Sequence, residues 1–404
     1  MKVLQINAVH RQLSTGRNMA QLNDFFTQQG HTAIAAYSVG AVQDPQRDYI
    51  IGGRMGQKLH ALLSRITGLQ GYYSRIATRK FLRETDRISP DVVILNNLHA
   101  NYIHLPMLLR YLAKNDIPTV AVLHDCWFYT GKCCHYTVSG CYRWQKQCGS
   151  CPAKKMYNSS WLFDRSPKML RDKKAGFGAI PRLGVVTVSD WLLGEAKKAP
   201  VLQNAKAIQR IYNWIDTEKF APLDTVQLRT EMGLQKKRVI LCVAGIWDST
   251  KGLNTALELA RGLEPDTQMV LVGKLPAGTV LPEQVTHVPK TDNVDELVAL
   301  YSMADVFFQP SMEETFGKVS AEALSCGTPV VCFRSTANPE LIGPGCGVVA
   351  EPGDLDGACA AMDTIFARGK EAYKEACRSF AVENFAQEKN CKEYLEFCAR
   401  LIAM

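Results

Sequence analysis

The 404-residue chain has no apolar run approaching the ~18 residues of a membrane-spanning helix. Its start, MKVLQINAVH, turns polar at Gln5 and Asn7, so no signal-peptide core is expected. Low-complexity stretches and short-period repeats are missing too. Charged residues make up 21% and hydrophobic ones 47%, which excludes disorder, collagen and coiled coil. What is left is a globular chain long enough for two domains, expected to be cytoplasmic with peripheral contact at the cytoplasmic face of the inner membrane.

Acidic residues are scarce in one half. Residues 1–200 hold 27 Lys and Arg against 12 Asp and Glu, a net +15, while the remainder carries a net −7. A basic half beside an acidic half points to an anionic partner for the first. Lys154, Lys155, Arg165, Lys168, Arg171, Lys173 and Lys174 cluster around Trp161, Leu162 and Phe163. Such a stretch suits an anionic membrane, or is simply a solvated loop and helix face. No nucleic-acid motif accompanies the charge, so nucleic acid is not expected as a partner.

Cysteine is plentiful, with fourteen residues. Many sit in apolar runs such as PVVCF, where the thiol behaves as a small hydrophobe. Five crowd into GKCCHYTVSGCYRWQKQCGSCP: Cys133, Cys134, Cys141, Cys148 and Cys151, with His135 beside them. In a reducing compartment this reads as a structural zinc site ahead of free thiols or disulfides, since four thiolates close a tetrahedral shell.

Short β-branched runs alternate with helix-like stretches. Strands are expected at Val3–Ile6, Thr32–Tyr37, Asp91–Leu95, Thr119–Leu123 and Gly184–Val188. A second series runs through Val239–Ala244, Met269–Val272, Thr286–Val288, Asp305–Gln309, Pro329–Phe333 and Gly347–Ala350. Near-continuous apolar strands belong to parallel sheets covered on both faces, so the fold class is α/β with two doubly wound, Rossmann-like domains facing a cleft. Residues 1–213 are read as the first domain, with the Cys-rich insert at 133–151, and 214–384 as the second. Residues 385–404 are read as a helix returning to the first. The turn-rich stretch 214–222 is the expected hinge.

The strongest chemical signal is EETFGKVSAEALSCGTPVV after the strand DVFFQP. Here Glu314 stands on a loop, Gly317 opens a helix, and Glu322 lies two turns along it. A helix N-terminus reached through glycine seats a diphosphate, and carboxylates at this spacing accept protons from sugar and ribose hydroxyls. No Asp-x-Asp pair reads as a metal–nucleotide motif at a strand end, so no cofactor is expected for catalysis.

This segment resembles the signature of family-four retaining glycosyltransferases of the GT-B fold, with two Glu separated by seven residues. IWDSTKGLNTALELA resembles that family's phosphate-gripping turn, NWIDTEKF its interdomain linker, and Ser14–Arg17 (STGR) its glycine loop near donor phosphate and acceptor. LHDCWFYTGKC with the spaced cysteines resembles an exopolysaccharide, colanic-acid-type bacterial subgroup. The resemblance implies that Glu314 holds the donor sugar, Glu322 the ribose, and Lys251 beside Gly252 the leaving diphosphate. Backbone groups around Phe316, Gly317 and Lys318 assist, and Gly16 approaches the donor. His124 would touch the sugar or acceptor, with His99, Asp125 and Arg17 on the acceptor side. Cys133, Cys141, Cys148 and Cys151 match the subgroup's cysteine set, and Cys134 is an extra thiol. Ile246 follows Gly245 where the family has Arg, leaving phosphate neutralisation to Lys251 alone or with Arg17 or Lys274.

The implied reaction is retaining transfer of a hexosyl unit from a nucleoside diphosphate sugar to a lipid-linked saccharide acceptor in bacterial surface polysaccharide (exopolysaccharide, lipopolysaccharide or capsule) biosynthesis. The rival readings are a nucleotide-sugar epimerase of similar outline and a non-enzymatic scaffold of the assembly machinery.

Overall fold

The computed structural model describes residues 1–404 except Tyr157 and Asp292. The chain divides into two compact units, the first made of Met1–Ile211 and Cys391–Met404, the second of Tyr212–Asn390.

Unit 1 runs β1 (Lys2–Val9), α1 (Leu13–Gln28), β2 (Thr32–Val39), β3 (Asp48–Ile50), α2 (Arg54–Thr67), α3 (Arg75–Ile88) and β4 (Val92–Leu95). It continues through α4 (Leu105–Lys114), β5 (Thr119–Leu123), α5 (Ser166–Gly178), β6 (Leu183–Thr187), α6 (Asp190–Lys198) and β7 (Ala207–Arg210). All strands pair in parallel in the order β3-β2-β1-β4-β5-β6-β7. The central strands VVIL and TVAVL are buried throughout, as a sheet covered on both faces requires. The short edge strands β3 and β7 escaped the sequence reading. Neither has a fully buried residue, so the apolar pattern that marks the inner strands is absent.

Unit 2 runs α7 (Val226–Glu231), β8 (Arg238–Ile246), α8 (Leu253–Arg261), β9 (Thr267–Lys274), β10 (Val285–Val288), α9 (Val294–Met303) and β11 (Val306–Gln309). Then come α10 (Lys318–Ser325), β12 (Val330–Phe333), β13 (Gly347–Ala350), α11 (Leu355–Arg368), α12 (Glu371–Phe385) and α13 (Gln387–Ala403). The sheet is again parallel, in the order β10-β9-β8-β11-β12-β13. In both sheets the first strand lies at the point where strand order reverses, the Rossmann arrangement that opens a crevice beyond the strand C-termini. Helix α13 starts in unit 2, and its later part belongs to unit 1. There Gly184 on β6 leaves room for it: a Cβ at that position would stand 2.7 Å from the Phe397 ring and 3.0 Å from Leu401.

Two sequence readings need correction. Ser14–Arg17 is not a loop but the first turn of α1. The connection is His10–Gln12 instead, and Arg11 and Leu13 carry its positive φ angles of 57° and 53°. Gly16 is buried against Val9, whose carbonyl oxygen would lie 3.1 Å from an added Cβ, so its smallness serves helix–strand packing. Lys173 does not belong to a solvated basic face. It is 2% exposed, and its ammonium donates to the carbonyls of Trp127 and Thr130. Asp354-Leu355-Asp356 follows β13 as an Asp-x-Asp triplet, and there Asp354 caps α11 by accepting from Gly357 N at 2.8 Å.

Candidate active site

In unit 2 the functional residues sit at the C-terminal ends of adjacent strands β8 and β11. After β8, Asp248 accepts hydrogen bonds from the backbone of Thr250 (2.9 Å) and Lys251 (3.0 Å), which folds a tight turn. Gly252 ends it at φ 77° and opens α8 with no side-chain cap. An added Cβ there would stand 2.3 Å from the Pro310 carbonyl oxygen, so only glycine lets this turn lie against the end of β11. Ser311 Oγ donates to Thr250 O at 3.2 Å and ties the two loops together.

That closeness brings Lys251 Nζ to 2.6 Å from Glu314 Oε1. The Lys251 side chain is 40% exposed and that of Glu314 13%, so the pair lies at the mouth of the site. Glu314 is fixed through its backbone: its N–H donates to Thr336 Oγ1 (2.8 Å), and its carbonyl accepts from Ala337 N (3.2 Å). Gly317, at φ 86°, opens α10, again with no side-chain cap. Two helix N-termini therefore open beyond neighbouring strands, each concentrating partial positive charge, with Lys251 beside them.

Glu322 takes a different place. It is buried on α10, and Tyr301 OH donates to its Oε2 at 3.0 Å. Phe316 is buried, packing at 5.9 Å from the Tyr212 ring and 5.5 Å from Phe385, so it offers backbone rather than side chain. Ile246 is 67% exposed. Trp247 turns inward, donating from Nε1 to Val272 O at 2.8 Å, and its backbone N–H bonds Lys274 O. Arg17 is exposed on α1 in unit 1.

In unit 1 the second cluster again stands at strand ends. His124 follows β5, and its Nε2 lies 2.9 Å from Asn96 Oδ1, just past β4. Asn96 in turn donates to Gln5 Oε1 at 3.2 Å. Burial pushes His124 down to about 4, so the imidazole is neutral near pH 7. Asp125 Oδ2 is 2.9 Å from His99 Nε2. Burial alone would raise the carboxyl, but the His99 partner and the Trp127 N–H, 2.8 Å away, hold it down to about 2. His99, Asp125 and Cys134 bring ligand-type atoms within 4.8 Å of one another. Below them Trp127 Nε1 donates to Gln70 Oε1 at 3.0 Å, and the Lys173 ammonium stands 3.6 Å from the indole centroid.

Cys133, Cys141, Cys148 and Cys151 all line one cavity of about 20 Å³, closed by Tyr136 and Trp144. The Cys133 and Cys151 thiols interact, which lowers the pKa of Cys151 below the ordinary thiol range while that of Cys133 is raised. None of the fourteen cysteines is joined in a disulfide.

Tyr301, Asn96 and Thr336 were missed in the sequence. Asn96 follows β4 as His124 follows β5, so strand-end position was a usable signal. Nothing in the sequence marks Tyr301, because its role depends on α9 packing beside α10.

Residues 225–381 match the family model described as glycosyl transferases group 1. N-acetyl-alpha-D-glucosaminyl L-malate synthase of Bacillus anthracis is 29% identical over 225 residues, 52% of this chain and 58% of the relative. The chain thus matches little more than half of that relative's length. Among solved structures, sucrose-phosphate synthase of Thermosynechococcus elongatus superposes with a TM-score of 0.72 at 16% identity, covering 100% of this chain and 99% of that one. Anabaena Alr3699/HepE in complex with UDP gives 0.67 at 16% identity, covering 99% and 100%. These likenesses and the two parallel sheets place the chain in the GT-B fold.

Proposed function

We propose that the protein is a retaining glycosyltransferase. It moves a hexosyl unit from a nucleoside diphosphate sugar to a lipid-linked saccharide in bacterial surface polysaccharide biosynthesis, at the cytoplasmic face of the membrane. The observation that carries this reading is the Lys251–Glu314 pair beside two glycine-opened helix N-termini, inside the segment that matches the group 1 family. A nucleoside diphosphate is a stable leaving anion, so the site has mainly to neutralise charge and hold the sugar. On donor binding Lys251 exchanges the Glu314 carboxylate for a phosphate oxygen, and the freed carboxylate accepts from the sugar's hydroxyls. Glu322, already oriented by Tyr301, accepts from the ribose. His124, neutral at working pH, serves as a hydrogen-bond partner rather than a cation on the sugar or acceptor side. Asp125 holds His99 on the acceptor side.

The four cysteines Cys133, Cys141, Cys148 and Cys151 line one cavity and would have to draw their sulfurs together to hold a structural zinc ion, since among the described residues only His99, Asp125 and Cys134 bring ligand atoms within 4.8 Å of one another. The ion's role would be to fasten the irregular segment between β5 and α5. The ion takes no part in the transfer.

Calorimetry with uridine-, guanosine- and adenosine-diphosphate sugars, followed by transfer of labelled sugar to a lipid-extracted acceptor, tests the proposal. Binding of one donor and an anomer-retained product is the expected result. An isomerised free donor with no acceptor product would instead make the protein an epimerase. Failure to bind any nucleotide sugar would leave the scaffold reading.

A further inference from the structure

Helix α2 is amphipathic in the wrong sense for a helix that only covers a sheet. Its buried residues are His60 and Ser64. Met55, Leu59 and Leu62, spaced i, i+4, i+7 along one face, are 87%, 57% and 45% exposed. The helix cannot roll to hide them. His60 Nδ1 is hydrogen-bonded with Ser74 Oγ at 2.7 Å, and its Nε2 accepts from Gly71 N at 3.1 Å. Ser64 Oγ donates to Asn101 Oδ1 at 3.1 Å. The polar side is thus pinned inward, and the apolar side faces out by construction.

The charge on α2 and the first two turns of α3 is of one sign, with Glu84 and Asp86 following later on α3 and Asp164 after Phe163. Between Tyr49 and Arg83 the chain carries Arg54, Lys58, Arg65, Arg75, Arg79, Lys80 and Arg83 and no Asp or Glu. All seven are exposed. Next to them a groove of about 720 Å³ is lined by Leu59, Leu63, Tyr73, Ile76 (71% exposed) and Tyr102. The face continues into the loop Trp161, Leu162 and Phe163, exposed by 51%, 61% and 48%. Trp161 N donates to Arg65 O at 2.6 Å, which anchors that loop at the end of α2.

We propose that the α2–α3 face, with Trp161–Phe163, docks on an anionic phospholipid bilayer, and that the groove receives a hydrocarbon chain of a lipid in it. Apolar side chains in a basic ring are the pattern of an interfacial helix, while a soluble anionic partner would leave Met55, Leu59 and Leu62 without a role. The inference gives the membrane contact of the proposed function a surface of its own. It does not need the catalytic assignment, because vesicle binding is read without donor or acceptor.

The test is flotation of the full chain with vesicles of phosphatidylcholine alone or mixed with phosphatidylglycerol. The protein is expected to float with the phosphatidylglycerol vesicles, less so as salt rises, and to stay behind with phosphatidylcholine. The double substitution Leu59→Glu, Leu62→Glu should lower binding by about tenfold or more with no change in thermal midpoint, since both side chains are exposed. Val280→Glu, at an 81% exposed site in unit 2, should leave binding unchanged. Three results would each overturn the proposal. They are wild-type protein that does not float, a Leu59/Leu62 variant that floats like wild type, and self-association through this face in lipid-free solution that the variant abolishes while vesicle binding persists.

Discussion

The Lys251 ammonium in unit 2 stands 40% exposed on a turn and meets a carboxylate, whereas the Lys173 ammonium in unit 1 is buried among carbonyl oxygens against an indole face. Both units wind their first six strands in the same order, unit 1 adding β7 at one edge, and both hold a lysine against oxygen acceptors. An exposed turn cation can trade its partner for a ligand's phosphate while water compensates the change. A buried cation cannot leave without stranding carbonyls that have no other donor, so its work is to hold a framework. The difference separates an exposed edge whose ion pair is open to exchange from a buried interior that holds a framework.

The comparison can be broken at either end. The largest effect is expected from Glu314→Gln, which keeps size but removes charge: transfer should fall about 10²- to 10³-fold with an unchanged melting midpoint. Unchanged turnover in a steady-state assay would remove Glu314 from the mechanism. Stripping metal with a strong chelator, or substituting Cys148→Ser, should lower the unit 1 midpoint by about 10 °C, as two resolved calorimetric transitions would show. Elemental analysis that finds no zinc would end that assignment. Lys173→Met should cost unit 1 about 3 kcal/mol in denaturant titration and leave donor affinity as it was. Lys251→Ala should do the opposite. It would lose roughly 10- to 150-fold in kcat/KM, from the ~1.5–3 kcal/mol of a charged hydrogen bond, with stability unaltered.

Acid gives the most diagnostic effect. Burial holds His60 and His124 down to about 4, against an ordinary 6.5. Between those values the unfolded chain binds more protons than the folded one. Stability therefore rises with pH across the window and falls as pH drops from 6.5 toward 4. Each of the two should cost unit 1 about 2 kcal/mol by about pH 5, so His60→Gln should roughly halve that slope in pH-dependent melts.

Much of the site was legible along the chain. Lys251-Gly252 and Glu314 through Glu322 are local patterns: a turn with a positive-φ glycine, a strand end, a helix start. Each is built from residues near in sequence, so these turns and helix starts kept their expected places. Gly16 did not, because a glycine after a strand looks alike whether it lines a loop or lets a helix pack on Val9. Lys173 misled for the same reason: a lysine in a basic run carries no mark of the Trp127 ring that covers it. The exposed stripe on α2 was hidden because apolar periodicity says which residues share a face and not which way that face turns.

The sequence alone determined the parallel α/β character of both units, since runs such as VVIL and TVAVL are too uniformly apolar for any sheet open to water on one side. It also determined the glycine-opened turns around Lys251 and Glu314. Tertiary structure decided which charges stay exposed and which are buried, that His60 rather than leucine points inward on α2, and that Tyr301 orients Glu322. Those outcomes depend on side chains distant in the chain competing for the same few hydrogen bonds and the same buried volume, and no window of sequence contains both competitors.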